Sequence, residues 1–284
     1  VHLQKWKISL IQDWDFTTII NPLNSGMIKY AQILFLLISS ILLAQPSARS
    51  VMEKMDQIQK PMDVQTHLKM TLISLKGGKE RRRSRELISF EKRYEDGKFK
   101  SKSLLRFSQP KEVMGTGFLT WDRLGSKPDD QWLYLPALKK VKRIRTNEKG
   151  RSFMGTDFSY EDLSGRDLDA DKYELLGVDI IHGTDCYKIR ANPIEKGSQY
   201  SWRILWVDKT HSLMKRVEFF NKKEMVFKIL DIPDHVKNGD YWTATKMIMK
   251  NLKNNHRTEL TVLKVKYDQD LKDNVFTESF LKRN

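Results

Sequence analysis

Cysteine is almost absent: Cys186 stands alone in a chain of 284 residues. An intramolecular disulfide is impossible, and thiolate zinc sites, thiol redox pairs and disulfide scaffolds are excluded with it. Cys186 sits in "DCYKIRA", which alternates like a strand, and reads as a small buried hydrophobe. Histidine is also scarce and scattered: His2, His67, His182, His211, His235 and His256 show no HxxxH or HxH spacing. Gly115-Thr116-Gly117 lacks the lysine and the strand-to-helix setting of a phosphate loop, and no G-x-S-x-G nucleophile elbow occurs. The apolar run from Ile33 to Leu43 falls well short of the roughly 18–20 residues that a spanning helix needs.

That run does fit another pattern. Residues 1–26 show neither sustained periodicity nor a targeting signal, and the chain opens on Val1 rather than methionine. From Met27, "MIKYAQILFLLISSILLAQPSA" places Lys29 before the apolar run and small residues after it, the three-part build of a secretory signal peptide. The reading is an upstream extension over 1–26, translation from Met27, a signal peptide over 27–44 and one domain over 45–284. Cleavage is expected after Ala44, with Ala48 the second choice. No cysteine lies near either site, so the expected product is a periplasmic protein without a lipid anchor.

Basic residues outnumber acidic ones, 51 to 36, for a net charge of +15. Residues 1–44 carry Lys5, Lys7 and Lys29 against Asp13 and Asp15, so the remainder keeps +14. Such a charge suits nucleic acid or an anionic membrane surface, and export favours the membrane. Two stretches concentrate it. "KGGKERRRSR" (Lys76–Arg85) reads as a hairpin turn with arginine-rich arms. "LKKVKRIR" (Leu138–Arg145) offers Lys139, Lys140, Lys142, Arg143 and Arg145 as a docking patch for phospholipid or an acidic partner.

One short helix comes first: "RSVMEKMDQIQKP" has Val51, Met55 and Ile58 at near-helical spacing, Ser50 as a candidate cap and Pro61 beyond the end. After Pro61 the period falls from about 3.6 to 2. Hairpin turns follow at Glu95–Lys98, His182–Asp185, Asp208–Ser212, Asn221–Glu224, Asn238–Asp240 and Asn254-Asn255, each with its own turn chemistry. The tail "DNVFTESFLKR" suits a helical turn that packs Phe276 and Phe280 back onto the sheet. No long crossover separates the strands, so the expected fold is an all-β one. It is a large antiparallel sheet of about eleven strands, curled into an incomplete β-barrel with short capping helices. Several strands are apolar on both faces, which calls for a cover or a filled cavity on the second face.

The stretch "FMGTDFSYEDL" (Phe153–Leu163) could be a catalytic acid cluster, a metal site or a structural cap. A glycosidase-like pair needs two carboxyl groups across a cleft, and Asp157 and Glu161 have no partner cluster. A divalent-metal loop needs spaced oxygen ligands, which Asp157, Glu161 and Asp162 do not supply. The cap reading starts a helical turn at Thr156 or Asp157. Phe153, Phe158 and Tyr160 are its apolar anchors, and the carboxylates face water or the cavity rim.

"FLTWDRLGSKPDDQWLYLPALKKVKRI", "RSFMGTDFSYEDL" and "LWVDKTHSLMKRVEFF" together resemble the LolA-like superfamily, in its outer-membrane lipoprotein-sorting protein branch. The resemblance runs from about Ser50 to Arg283. It implies helices plugging the mouth of the barrel, an apolar cavity for the acyl chains of lipid or lipoprotein, and a carrier needing no cofactor, metal or catalytic residue. It also implies an association with an inner-membrane export pump. Trp121, Trp132, Tyr134, Trp202, Ile204 and Trp206 are the candidates to line the cavity, and Trp242 belongs to the same set of core or lining aromatics; Trp202, Ile204 and Trp206 share one strand face, and that face or its opposite is expected to line the pocket. A lipid or glycan hydrolase using Asp157 or Glu161 is the remote alternative. N-terminal sequencing of the periplasmic protein is expected to return Gln45; an intact Val1 in the cytoplasm would overturn both the start and the compartment.

Overall fold

The computed structural model describes residues 45–125, 128–194 and 197–283; the upstream extension and the signal peptide lie outside them. From Ser47 onward the chain forms one compact unit. Helix α1 (Ala48–Asp56) is capped by Ser47 rather than Ser50: the Ser47 hydroxyl accepts the Ser50 N–H at 3.1 Å. It satisfies one of the donors left free by the first helical turn.

Thirteen strands follow, against about eleven expected. They are β1 (Asp63–Lys76), β2 (Lys79–Arg93), β3 (Phe99–Gln109), β4 (Gly117–Arg123), β5 (Asp130–Leu135), β6 (Lys140–Arg143) and β7 (Asp171–Ile181). The remainder are β8 (Thr184–Pro193), β9 (Trp202–Asp208), β10 (Met214–Phe220), β11 (Val226–Asn238), β12 (Tyr241–Asn251) and β13 (His256–Tyr267). "QWLYLPALKKVKRI" is two strands, because Pro136 has no N–H for a ladder and starts a tight turn that ends with Lys139 at φ 49°.

All thirteen make a single antiparallel sheet in the order β6-β5-β4-β3-β2-β1-β13-β12-β11-β10-β9-β8-β7. The chain meanders outward from β1 to one edge and crosses through residues 144–170 to the other edge. From there it meanders inward until β13 pairs with β1, Val64 opposite Tyr267 and Ser74 opposite His256. The sheet is an incomplete barrel with β6 and β7 as its edges.

One face gathers Leu87, Phe107, Phe118 and Leu133 from the first meander with Ile189, Leu205, Val217 and Phe219 from the second, in a continuous core. Side chains from both ends of a sheet meet only on the side toward which it curls, so this face is the concave one. Val51 and Met52 of α1 join it and cover part of the opening. On the convex face, Leu104, Leu119, Trp132 and Tyr134 lie under the C-terminal segment, where Phe276 and helix α2 (Glu278–Leu281) return to the sheet as the tail predicted. Gly117 admits this approach, since a Cβ there would stand 2.6 Å from Leu281 Cδ1.

Candidate functional site

"FMGTDFSYEDL" lies inside the curl. Residues 152–159 form a narrow loop in which Phe153 N–H donates to the Phe158 carbonyl at 2.8 Å, with Met154 and Gly155 at φ 51° and 74°. No helix begins at Thr156 or Asp157; the one helical turn is a 3-10 turn at Glu161–Leu163. Phe153 is fully buried, its ring 6.0 Å from Phe107 and 5.2 Å from Phe118, and Tyr160 reaches Phe118 at 5.5 Å. The three aromatics are buried in the main core on the concave face.

The carboxylates do not face water, contrary to the expectation from sequence. Asp157 is only 6% exposed and accepts from Thr258 Oγ1 at 2.8 Å and pairs with His256 Nδ1 at 2.6 Å. Glu161 accepts from Ser198 Oγ at 2.5 Å and the Gln199 N–H at 3.1 Å. Asp162 pairs with Lys228 Nζ at 2.9 Å, both side chains more than nine-tenths buried. The Tyr200 hydroxyl donates to Asp162 at 2.6 Å and accepts from Lys228 at 2.9 Å. Burial, and then Asp162, push the Tyr200 phenol well above its usual range, so it stays a donor. Arg85 and Gln131 donate to the carbonyls of Met154 and Tyr160. A loop inside a barrel must find partners for every polar group, and here β2, β5, β11 and β13 supply them. The segment is a plug, bonded on every side.

The cavity candidates fall elsewhere. Trp121 and Trp132, with ring centroids 4.7 Å apart, pack with Tyr134 on the convex face, where Trp121 Nε1 donates to the Phe276 carbonyl at 2.9 Å. Ile204 and Trp206 lie with Cys186 and Phe220 on the outer face of the second meander. Trp202 stacks on Phe220 there, under the Arg190 guanidinium. The opposite face of the same strand, Leu205 and Val207, points into the curl but is fully packed. The outward aromatics of this strand carry the Lys188 and Arg190 cations, and those of β4 and β5 carry the tail. Lys139, Lys140, Lys142, Arg143 and Arg145 are all exposed as expected. Two are held by acids, Lys142 by Glu148 and Arg143 by Asp130.

The open space is a seam between β12 and β13. Their pairing runs from Asn251 opposite His256 only as far as Lys246 opposite Thr261. Beyond it β13 follows β1 through an irregularity beside His67/Leu68. β12 follows β11, whose own ladder is interrupted between Asp231 and Asp234, around Pro233. Bulges bend and twist the strands that carry them, so the two strands splay. Farther along they are tied again by the hydroxyls of Thr243 and Tyr267 and by the bond from Tyr241 Oη to Asp268 at 2.6 Å.

Two adjoining cavities of about 260 and 220 Å³ occupy the seam and share Thr243, Val265 and Tyr267. Val64, Thr66, Trp242 and Val262 add apolar and hydroxyl wall, the buried carboxylate of Asp63 also lines the first cavity, and the charged Lys60, Glu91, Arg93 and Lys237 line the two as well. Glu91 is exposed at this seam. Of these residues only Trp242 was singled out from sequence. The available signals were Pro233 within a strand and the run "TVLKVKY", whose alternation slips at Leu263. Among the described residues no group of three or more His, Cys, Asp or Glu could hold a metal ion.

A family profile described as an uncharacterized protein matches residues 99–283. An outer membrane lipoprotein-sorting protein domain from Vibrio parahaemolyticus is 30% identical, covers 83% of this chain and 98% of its own, and superposes with a TM-score of 0.77. The chain belongs to the LolA-like superfamily, in this lipoprotein-sorting branch. A DUF1329 family protein from Desulfovibrio piger is 32% identical over 82% of this LolA-like chain and 97% of that one, again at 0.77. A LolA superfamily protein from Nitrosomonas europaea shares the fold at 20% identity and a TM-score of 0.62, covering 83% and 99%. No curated protein sequence matches this one.

Two outcomes test the plug. Lys228→Met leaves Asp162 charged and buried, and is expected to cost about 3–5 kcal/mol in urea unfolding; the double variant Lys228→Met/Asp162→Asn should recover part of it. The second concerns Asp122, which packs against Gly165 of the crossing segment. Burial, and then Asp129, push its carboxyl up to about 7. The folded state thus binds a proton more tightly than the unfolded chain. Protonated Asp122 contributes stability that is complete below about pH 4 and lost as pH rises toward 7. Asp122→Asn is expected to remove that fall, measured as melting temperature against pH.

Proposed function

We propose that this LolA-like protein is a periplasmic carrier that shelters an acyl chain of a lipoprotein or lipid in the seam between β12 and β13. The observation that supports this reading is the seam's chemistry: apolar and hydroxyl groups beside charges of both signs, most of these on exposed side chains. An acyl chain fits the wall, and its polar head group fits the exposed charges. The two cavities together fall in the lower part of the roughly 300–1,000 Å³ of small-molecule sites. Each methylene buried is worth about 0.8 kcal/mol, so a handful suffices for useful affinity and no covalent chemistry is required. Membership in a family named for lipoprotein sorting supports the same reading.

A second reading is favoured by the plug. Phe153, Phe158, Tyr160 and Tyr200 fill the concave face that a wide cargo cavity would occupy. A chain whose interior is taken by its own aromatics suits an accessory subunit of an inner-membrane export pump, with no cargo of its own. Native mass spectrometry with lipid extraction, on protein taken from the envelope, separates the two. Bound lipid is expected, and Val265→Asp is expected to weaken a fluorescent fatty acid by about tenfold or more, the loss of a buried aliphatic contact and the gain of a charge. Lipid-free protein whose fatty-acid binding ignores Val265→Asp would leave the accessory reading standing.

A further inference from the structure

Antiparallel strands put their connections at two ends of the sheet. The seam opens at the end where β1 begins. At the opposite end lie six connections: β1/β2, β3/β4, β5/β6, β8/β9, β10/β11 and β12/β13. Each carries or adjoins one large aliphatic side chain held out in water: Leu75 at the end of β1, and Met114, Leu138, Ile194, Met225 and Leu252 on the connections, all between 48% and 61% exposed. Single exposed aliphatics are ordinary. One at every connection of the same end is a pattern.

The three central connections are laced into one rim. Leu75 N–H donates to the Asn255 carbonyl at 3.2 Å, Leu252 N–H to the Phe227 carbonyl at 3.0 Å, and Arg257 Nη2 to Glu80 at 2.8 Å. The rim is strongly basic. Five lysines and arginines stand exposed between Lys76 and Arg83, with Lys222, Lys223 and Lys253 on the neighbouring turns. Glu80 is already taken by Arg82 and Arg257, which leaves Glu224 as the one acid of these turns without an ion pair among the described residues. At the seam end the turns instead hold Glu95, Asp96 and Asp240 among their lysines.

We infer that this rim docks the protein on an anionic phospholipid bilayer. Lysine and arginine near such a surface each gain about fivefold in partitioning. Leu75, Met225 and Leu252, projecting at or beside these turns, reach the boundary between head groups and acyl chains, where amphipathic elements gain their apolar binding. Three separate protruding side chains suit a deformable lipid surface better than the packed core of a protein interface, which demands shape complementarity. The docking end is also the end that the plug occupies, with Asp157 bonded to His256 and Thr258 near the β12/β13 turn. Docking therefore leaves the seam pointing away from the membrane. The inference is independent of whether the seam takes cargo.

Sedimentation of the chain from Ser47 onward, the compact unit that holds the whole core, with phosphatidylcholine vesicles made with and without phosphatidylglycerol tests it. Binding is expected only with phosphatidylglycerol, and it should weaken steeply with salt. Lys79→Ser/Arg81→Ser/Arg83→Ser is expected to lower binding by at least about tenfold. Leu75→Ser/Met225→Ser/Leu252→Ser should lower it while preserving the salt dependence. All six positions are exposed, so melting temperatures should not move. Equal binding to both kinds of vesicle, wild-type binding by both variants, or no vesicle binding alongside tight binding to an acidic polypeptide would each overturn the bilayer; the last would point to an acidic protein partner instead.

Discussion

The ion pair between Lys228 and Asp162 is the point on which the interior depends. A curled sheet that fails to close leaves two edges and a half-filled inside, and the crossing segment 144–170 covers both. Its stay inside is set by charge as much as by the aromatics. Phe153, Phe158 and Tyr160 supply apolar burial, but a nonpolar loop could slide or leave. A buried ammonium and carboxylate 2.9 Å apart cannot separate without leaving two charges in a low-dielectric core. Tyr200 bonds to both and fixes the geometry.

The plug and the seam divide the concave side between them. Where β2, β5, β11 and β13 supply polar partners, the chain's own residues take the space. Where β12 and β13 part, nothing among the described residues does. Two irregular ladders thus set the shape of the opening. The opening lies in the wall of the sheet, whereas the family resemblance implied an apolar cavity behind helices that plug the barrel mouth.

The sheet and the short tail helix were legible in the sequence because period-two alternation and turn residues are local signals. The sheet's extent was nearly so; one hairpin at Pro136 was hidden inside an apolar run. Which face turns inward was not legible. Trp202, Ile204 and Trp206 alternate correctly with Leu205 and Val207, but alternation defines two faces without saying toward which the sheet curls. The carboxylates were misjudged for a related reason. Asp157, Glu161 and Asp162 look exposed beside turn residues, and their partners His256, Ser198 and Lys228 lie far along the chain. A lysine in the apolar run "MVFKIL" was the available hint that some buried acid awaited it. The seam depends on where two ladders stop, which no single strand records.

The central strand pair joins residues as distant as Val64 and Tyr267, and this orders events during folding. β1 is made first, yet its partner on that side is the last strand of the chain. The two meanders can form locally, each from neighbouring hairpins, but the concave core that needs both stays unformed until β13 arrives. Contacts of such long sequence separation slow folding, because loop closure precedes the contacts that reward it. The protein therefore completes its concave interior late, and a chain interrupted before His256 lacks the strand that joins its two meanders.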